Sequence, residues 1–174
     1  MISYSIYVVD DEETIRYAIT TALGAVYRVD SYSTAEAAIE AMKMAPPDLV
    51  LLDIGLPGMS GIEALQNIRN QYPDVLIIMI TAYEDVTTVV SAMKLGAYDY
   101  VVKPLHMDSL EVSIRNALDT ITLRKEVQIL QEKYLRENLP CFIGESNVIH
   151  DVMEFIGMVA KSPDTPILLS LIHI

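Results

Sequence analysis

The residues able to do chemistry sit one after another at the ends of apolar runs. Asp10 and Asp11 follow Ser5-Ile6-Tyr7-Val8-Val9, and Asp53 follows Leu49-Val50-Leu51-Leu52. Thr81 follows Val75 to Ile80, and Lys103 follows Tyr98 to Val102. If one surface gathered them, it would hold three carboxylates, one hydroxyl and one ammonium. Carboxylates a few ångströms apart repel, and at least one is driven toward protonation. Two devices neutralise such a cluster. A hard divalent cation takes oxygen ligands and keeps waters, which describes Mg²⁺; a lysine adds a compact point charge. The carboxylate between metal and lysine is the best-placed nucleophile, and aspartyl phosphates are an established product of such carboxylates. Phosphoryl transfer asks mainly for positioning and charge neutralisation. The Thr81 hydroxyl can then donate to a phosphoryl oxygen, and the small Ala82 beside it leaves room for a donor.

Each residue has an ordinary explanation when taken alone. Paired acids after a strand commonly cap a helix. An Asp before Gly-Leu-Pro-Gly is commonly turn chemistry, and a Lys before Pro commonly marks an element boundary. Their joint occurrence, in order and each at a strand end, is the specific signal.

The elements that must position them alternate regularly. Ser5–Val9 predicts a strand, followed by a helix over Glu13–Leu23 with Ile15, Ala18, Ile19 and Ala22 at helical spacing. Val26–Ser31 predicts a second strand. Ser33 or Thr34 can cap a helix running to Met44, ahead of Pro46-Pro47. Leu49–Leu52 is a continuous apolar strand ending at Asp53. The turn-rich Gly55-Leu56-Pro57-Gly58-Met59-Ser60-Gly61 leads into a helix over Ile62–Asn70. Val75–Ile80 is the fourth strand, Val86–Leu95 a helix stopped by Gly96, and Tyr98–Val102 the fifth strand, with a final helix from near Asp108. The alternation predicts βαβ units, right-handed crossovers and a parallel α/β sheet with helices on both faces. Ligands of such sheets bind beyond the carboxyl ends of the strands, where all five residues fall.

Composition agrees. Half the chain is hydrophobic (52%), mostly aliphatic, as strands buried on both faces require. Twenty-four acids against 12 bases give a net charge of −12, which disfavours a grip on nucleic-acid phosphates or an anionic membrane. Cys141 is the one cysteine, so neither an internal disulfide nor a cysteine metal cage is expected. His106, His150 and His173 are scattered. The N-terminus lacks a basic signal region, and the apolar run ending at Ile174 is too short for a membrane helix; a cytoplasmic protein is expected.

On these motifs the sequence resembles the receiver domain of two-component response regulators, from about Ile6 to Ala117. The resemblance rests on Val8-Val9-Asp10-Asp11-Glu12, on Asp48 to Asp53 with Pro57-Gly58-Met59-Ser60-Gly61, on Ile80-Thr81-Ala82, and on Gly96 to Pro104. It implies a five-stranded sheet in the flavodoxin-like order 2-1-3-4-5. It also implies that Asp53 is the phosphoacceptor and that Mg²⁺ is held by Asp10, Asp11, Asp53 and the Gly55 carbonyl. Thr81 and Lys103 match the family's hydroxyl and lysine, and Tyr100 its rotating switch aromatic. A cis Lys103-Pro104 bond and a sensor histidine kinase as partner are implied as well.

Beyond the receiver (1–118), residues 119–139 predict a helical linker in which Leu123, Val127, Leu130 and Tyr134 form a 4-3-4 seam suited to a homodimeric coiled coil. The plainer reading is an amphipathic helix packed on its own domain. Residues 140–174 are similar to the opening of the AAA+ domain of sigma-54-dependent, NtrC-type activators. The Gly-rich phosphate loop does not follow Leu169, so no ATP binding and no enzymatic ATPase are expected of this chain, which reads as truncated there. In a longer relative, phosphorylation would control transcription through that ATPase. Two other classes fit less well. A haloacid-dehalogenase-like phosphatase wants an acid two residues after the nucleophile, where Gly55 stands. A flavodoxin-like cofactor binder wants a phosphate loop where Asp10-Asp11-Glu12 would repel the ligand. A pure interaction domain with a silent acid pocket is the third alternative.

Overall fold

A computed structural model describes residues 4–82 and 86–138. The chain divides into two compact units, Met1–Leu130 and Gln131–Ile174; the described part of the second is 131–138, within the last helix. The expected AAA+ stub at 140–174 lies outside the described residues.

The first unit runs β1 (Ser5–Val9), α1 (Glu13–Leu23), β2 (Arg28–Tyr32), α2 (Ala35–Met42), β3 (Leu49–Asp53), α3 (Gly61–Gln71), β4 (Leu76–Thr81), α4 (Val86–Lys94), β5 (Asp99–Val102) and α5, which spans Met107–Asn138. The strands form one parallel sheet in the order β2-β1-β3-β4-β5, as expected. Every residue of β3 and β4 is buried.

Alternation along the strands supplies both layers. Tyr7, Val9, Val50, Leu52, Ile77 and Met79 face one core, closed by α2, α3 and α4 through residues such as Met42, Leu65, Ile68 and Ala92. Ile6, Val8, Leu49, Leu51, Ile78 and Ile80 face the other, closed by Ile19 and Leu23 of α1 and by Leu110, Ile114, Leu118 and Ile121 of α5. Fully burying one such aliphatic side chain stabilises the fold by about 1.5–3 kcal/mol. Val8 pairs with Leu51 and Val9 with Leu52, so continuing the register sets Asp10 opposite Asp53 at the carboxyl edge.

Several boundaries differ from the sequence reading. β2 begins at Arg28 rather than Val26, because the Val26 and Tyr27 amides both close a turn on the Leu23 carbonyl. Val26 is apolar yet exposed. α2 is capped by Thr34, whose hydroxyl accepts from the Ala37 amide, and it ends at Met42. Met44 belongs to a turn, donating to the Ala41 carbonyl, with its side chain in solvent. α3 starts one residue early, behind a capping box in which the Ser60 hydroxyl accepts from the Glu63 amide and the Glu63 carboxylate from the Ser60 amide.

Leu123, Val127 and Leu130 are exposed on α5, as is Tyr134. The reading in which this stripe packs on its own domain is therefore not met in the first unit. α5 is instead fixed by residues before the seam, through a Tyr98–Thr120 hydroxyl pair and the Ser113 hydroxyl donating to Asp99.

Candidate functional site

The carboxyl edge of the sheet gathers the residues singled out above. Asp10, Asp53 and Thr81 are the buried polar or charged side chains of the described residues, at 0%, 4% and 1% exposure. Asp11 is exposed at the rim, and carboxylate oxygens of Asp10, Asp11 and Asp53 lie within 4.8 Å of one another. Lys103 reaches in from the end of β5. Its ammonium stands 2.9 Å from Asp10 Oδ2, 2.9 Å from Glu12 Oε1 and 3.5 Å from Asp53 Oδ1.

Local backbone bonds hold these groups in place. The Lys103 amide donates to the Thr81 carbonyl, and the Ile54 amide to the Ile80 carbonyl, so the strand ends stay registered where the side chains diverge. The Glu12 amide donates to Asp10 Oδ1. Arg16, one turn into α1, donates from Nη1 to the backbone carbonyls of Asp10 and Asp11 at 2.7 and 2.9 Å, clamping the acid loop. The Asp carboxylates do not cap α1; Glu12 is its N-cap residue, and its side chain makes no capping hydrogen bond.

Two glycines let the β3–α3 loop fold over Asp53. A Cβ on Gly55 would stand 3.4 Å from Asp53 Oδ2, so this residue borders the carboxylate. A Cβ on Gly61 would stand 2.0 Å from the Asp53 carbonyl oxygen, an impossible approach, so α3 can begin here only with glycine. The Gly61 amide donates to the Ile54 carbonyl. Farther along the loop, the Met59 amide donates to Glu36 of α2.

The pocket carries an excess of negative charge. Burial is the largest cause raising the Asp53 carboxyl above its usual range; Lys103 opposes it, and the Asp10 and Asp11 carboxylates add to it. Burial works against the Lys103 charge, but hydrogen bonds to Glu12 and Asp10 and the charges of Asp53 and Asp10 hold its pKa above the ordinary lysine value. The pocket thus sets one ammonium, in contact with Asp10, Glu12 and Asp53, against four carboxylates once Asp11 is counted. Asp10 Oδ2, fully buried, has no hydrogen-bond donor beyond that ion pair. An oxygen-only donor set with uncompensated charge fits a hard divalent cation such as Mg²⁺ and offers a softer metal no nitrogen or sulfur.

Comparison with known proteins decides the family. Residues 6–115 match the response regulator receiver domain. The chain belongs to the response-regulator receiver family. Among curated relatives, the chain is 31% identical over 158 residues to the DNA-binding transcriptional regulator NtrC of Escherichia coli (strain K12), covering 90% of this chain and 33% of that protein. Among solved structures, NtrX from Brucella abortus in complex with ADP superposes with a TM-score of 0.70 at 31% identity, covering 92% of this chain and 35% of that one. A BeF3-activated DrrB receiver domain superposes with a TM-score of 0.64 at 29% identity, covering 68% of this chain and 99% of that one. The receiver is of the NtrC type, a phosphorylation-controlled signalling module, and the chain spans about a third of the length of the curated relatives it matches.

The Lys103-Pro104 bond is cis. Tyr100, on β5, points outward at 43% exposure, with its amide bonded to Asp99 Oδ1. Glu12 and Arg16 were not singled out by type and spacing. The available signals were a third acid in the Asp10-Asp11-Glu12 run and an arginine four residues later. Among the described residues, no helix is long and apolar enough to cross a membrane.

Proposed function

We propose that Asp53 accepts a phosphoryl group from a sensor histidine kinase, and that the acid pocket and Lys103 prepare it to do so. The observation that carries this reading is a carboxylate 4% exposed, flanked by Lys103 on one side and by Asp10 and Asp11 on the other. An Asp53 oxygen attacks phosphorus, the new P–O bond forms as the P–N bond to the kinase imidazole breaks, and the imidazole leaves with the electron pair. Asp10, Asp11, Asp53 and the Gly55 carbonyl would hold Mg²⁺, which when bound neutralises charge on the transferring group. Lys103 supplies the second positive charge. Hydrolysis of the acyl phosphate by water, catalysed by the same pocket, resets the domain.

The same geometry supports a switch. Phosphorylation adds about −1.5 to −2 charges beside Thr81 and Lys103. The Thr81 hydroxyl turns to a phosphoryl oxygen, and Tyr100, outward in this structure, moves into the vacated space. A cleft beside Lys103, lined by Ile15, Ala18, Pro104, Leu105 and Met107, offers the donor protein an apolar footing.

The exposed α5 stripe supports a homodimer through residues 119–139, linking the receiver (1–118) to an AAA+ segment beginning at 140. In this reading the full-length protein controls sigma-54-dependent transcription in the cytoplasm, and this part of it binds neither ATP nor nucleic acid. Intact mass after incubation with acetyl phosphate tests the chemistry. A gain of one phosphoryl group is expected with Mg²⁺, and none with EDTA or in Asp53→Ala. An equal gain in Asp53→Ala would refute it.

A further inference from the structure

Glu12 stands at the N-cap of α1, where a side chain ordinarily accepts a hydrogen bond from the first turn. Its carboxylate does not do so. It reaches instead to the Lys103 ammonium, 91 residues away in sequence and 2.9 Å away in space. An ammonium has three N–H donors. Here three carboxylates surround it, and Asp53, at 3.5 Å, is the most distant of them. The charge the nucleophile needs is therefore shared with a residue that takes no part in the transfer.

The three acceptors differ in how easily they let go. Asp10 is fully buried and would be left without a donor on Oδ2. Asp53 is the reacting group. Glu12 is half exposed, so water can replace the ammonium at little cost. A phosphoryl group on Asp53 brings several anionic oxygens to Lys103; the donor that faces Asp53 can serve one of them, and a second can come only from an acceptor that gives one up. Glu12 is that acceptor.

We propose that Glu12 is a positioning residue that competes with Asp53 for Lys103 and must release it for phosphorylation, so that its grip sets how readily the domain is charged. This inference rests on the reading of Asp53 as phosphoacceptor and extends it to the control of its lysine. The Glu12–Lys103 pair acts as a resting-state latch, tied to the acid loop because the Glu12 amide also donates to Asp10 Oδ1.

The test is calorimetric titration of the whole chain with fluoroberyllate at saturating Mg²⁺, a phosphoryl mimic of the kind named for the DrrB receiver structure. Wild type, Glu12→Gln and Glu12→Asp are compared, with Asp53→Ala as the blank. Glu12→Asp keeps the charge and a good N-cap but draws the carboxylate back by one carbon–carbon bond, out of the ammonium's reach. Both Glu12 variants should bind fluoroberyllate about two- to fivefold more tightly, the range set by a partly exposed ion pair. Acetyl phosphate should modify both proportionately faster. A purely structural role at the helix start would weaken binding or leave it unchanged, and either result overturns the proposal. A gain in Glu12→Gln alone also overturns it, since that would mean the charge acts on the anion at a distance without holding Lys103. If wild type fails to bind, or Asp53→Ala binds equally well, the Asp53 reading falls and this inference with it.

Discussion

Replacing Asp53 with Asn removes one negative charge from a pocket that has too many, at almost no change in volume. At an effective dielectric of 20, like charges within 4.8 Å of one another repel by at least about 3.5 kcal/mol, and the Lys103 attraction at 3.5 Å amounts to about 4.7 kcal/mol. Asp10 exerts the full repulsion because it is buried; Asp11 is exposed, and solvent screens its share to about half. The repulsion then at least offsets the attraction, which leaves the desolvation of a buried carboxylate without compensation. Lys103 loses little in the exchange, since Asp10 and Glu12 still hold it. Asp53→Asn is expected to stabilise the metal-free domain by about 1–2 kcal/mol, a rise in Tm of about 4–8 °C for a unit of this size. The pH dependence has a definite sign. The Asp53 pKa is raised above its ordinary 3.8, so the stability gained by its protonation is fully present below that value and is lost as pH rises through the folded pKa. The advantage of Asn should therefore be largest at neutral pH and vanish toward pH 3.8. Thermal unfolding followed by circular dichroism in EDTA, at neutral and acid pH, measures both, and added Mg²⁺ should narrow the gap by stabilising wild type more. An Asn variant no more stable than wild type in EDTA at neutral pH would refute the reasoning.

Three further outcomes are expected. Gly61→Ala places a Cβ on the Asp53 carbonyl and should cost about 2–3 kcal/mol in urea unfolding; a cost near zero would mean that the loop yields freely. Ser60→Ala removes the hydroxyl half of the α3 capping box and should cost about 1 kcal/mol in the same assay. Under the proposed α5 dimer, Leu123→Lys with Leu130→Glu should abolish self-association in sedimentation equilibrium while moving receiver stability by less than about 0.5 kcal/mol; a monomeric wild type, or association unchanged in the variant, would refute that dimer.

What could be read from the sequence follows from what burial does to a strand. β3 and β4 are buried on both faces, so they read as unbroken aliphatic runs, and the residues just beyond them stood out by contrast. Edge strand β2 keeps only part of its surface from water, and its start was misplaced onto Val26, an apolar residue that the chain spends on a turn. Met44 misled the α2 boundary in the same way, because an exposed methionine and a buried one look alike in sequence. Asp10, Asp53, Thr81 and Lys103 were legible as a group because parallel topology sends every strand end to one edge. The part played by Glu12 was not, since it depends on a side chain turning away from its own helix toward a lysine 91 positions on. Gly61 was legible as a turn residue; that it excludes any Cβ from the back of Asp53 emerges only when α3 is set against β3.

The measurement that bears most directly on the central claim is to locate the phosphoryl group itself. Borohydride reduces an aspartyl phosphate to homoserine, so treating the chain with acetyl phosphate and Mg²⁺, then with borohydride, leaves a permanent mark where the acyl phosphate stood. Tandem mass spectrometry of the peptide spanning β3 should find homoserine at position 53, and none in samples prepared with EDTA. Homoserine at Asp10 or Asp11, with Asp53 intact, would contradict the assignment of Asp53 as the acceptor.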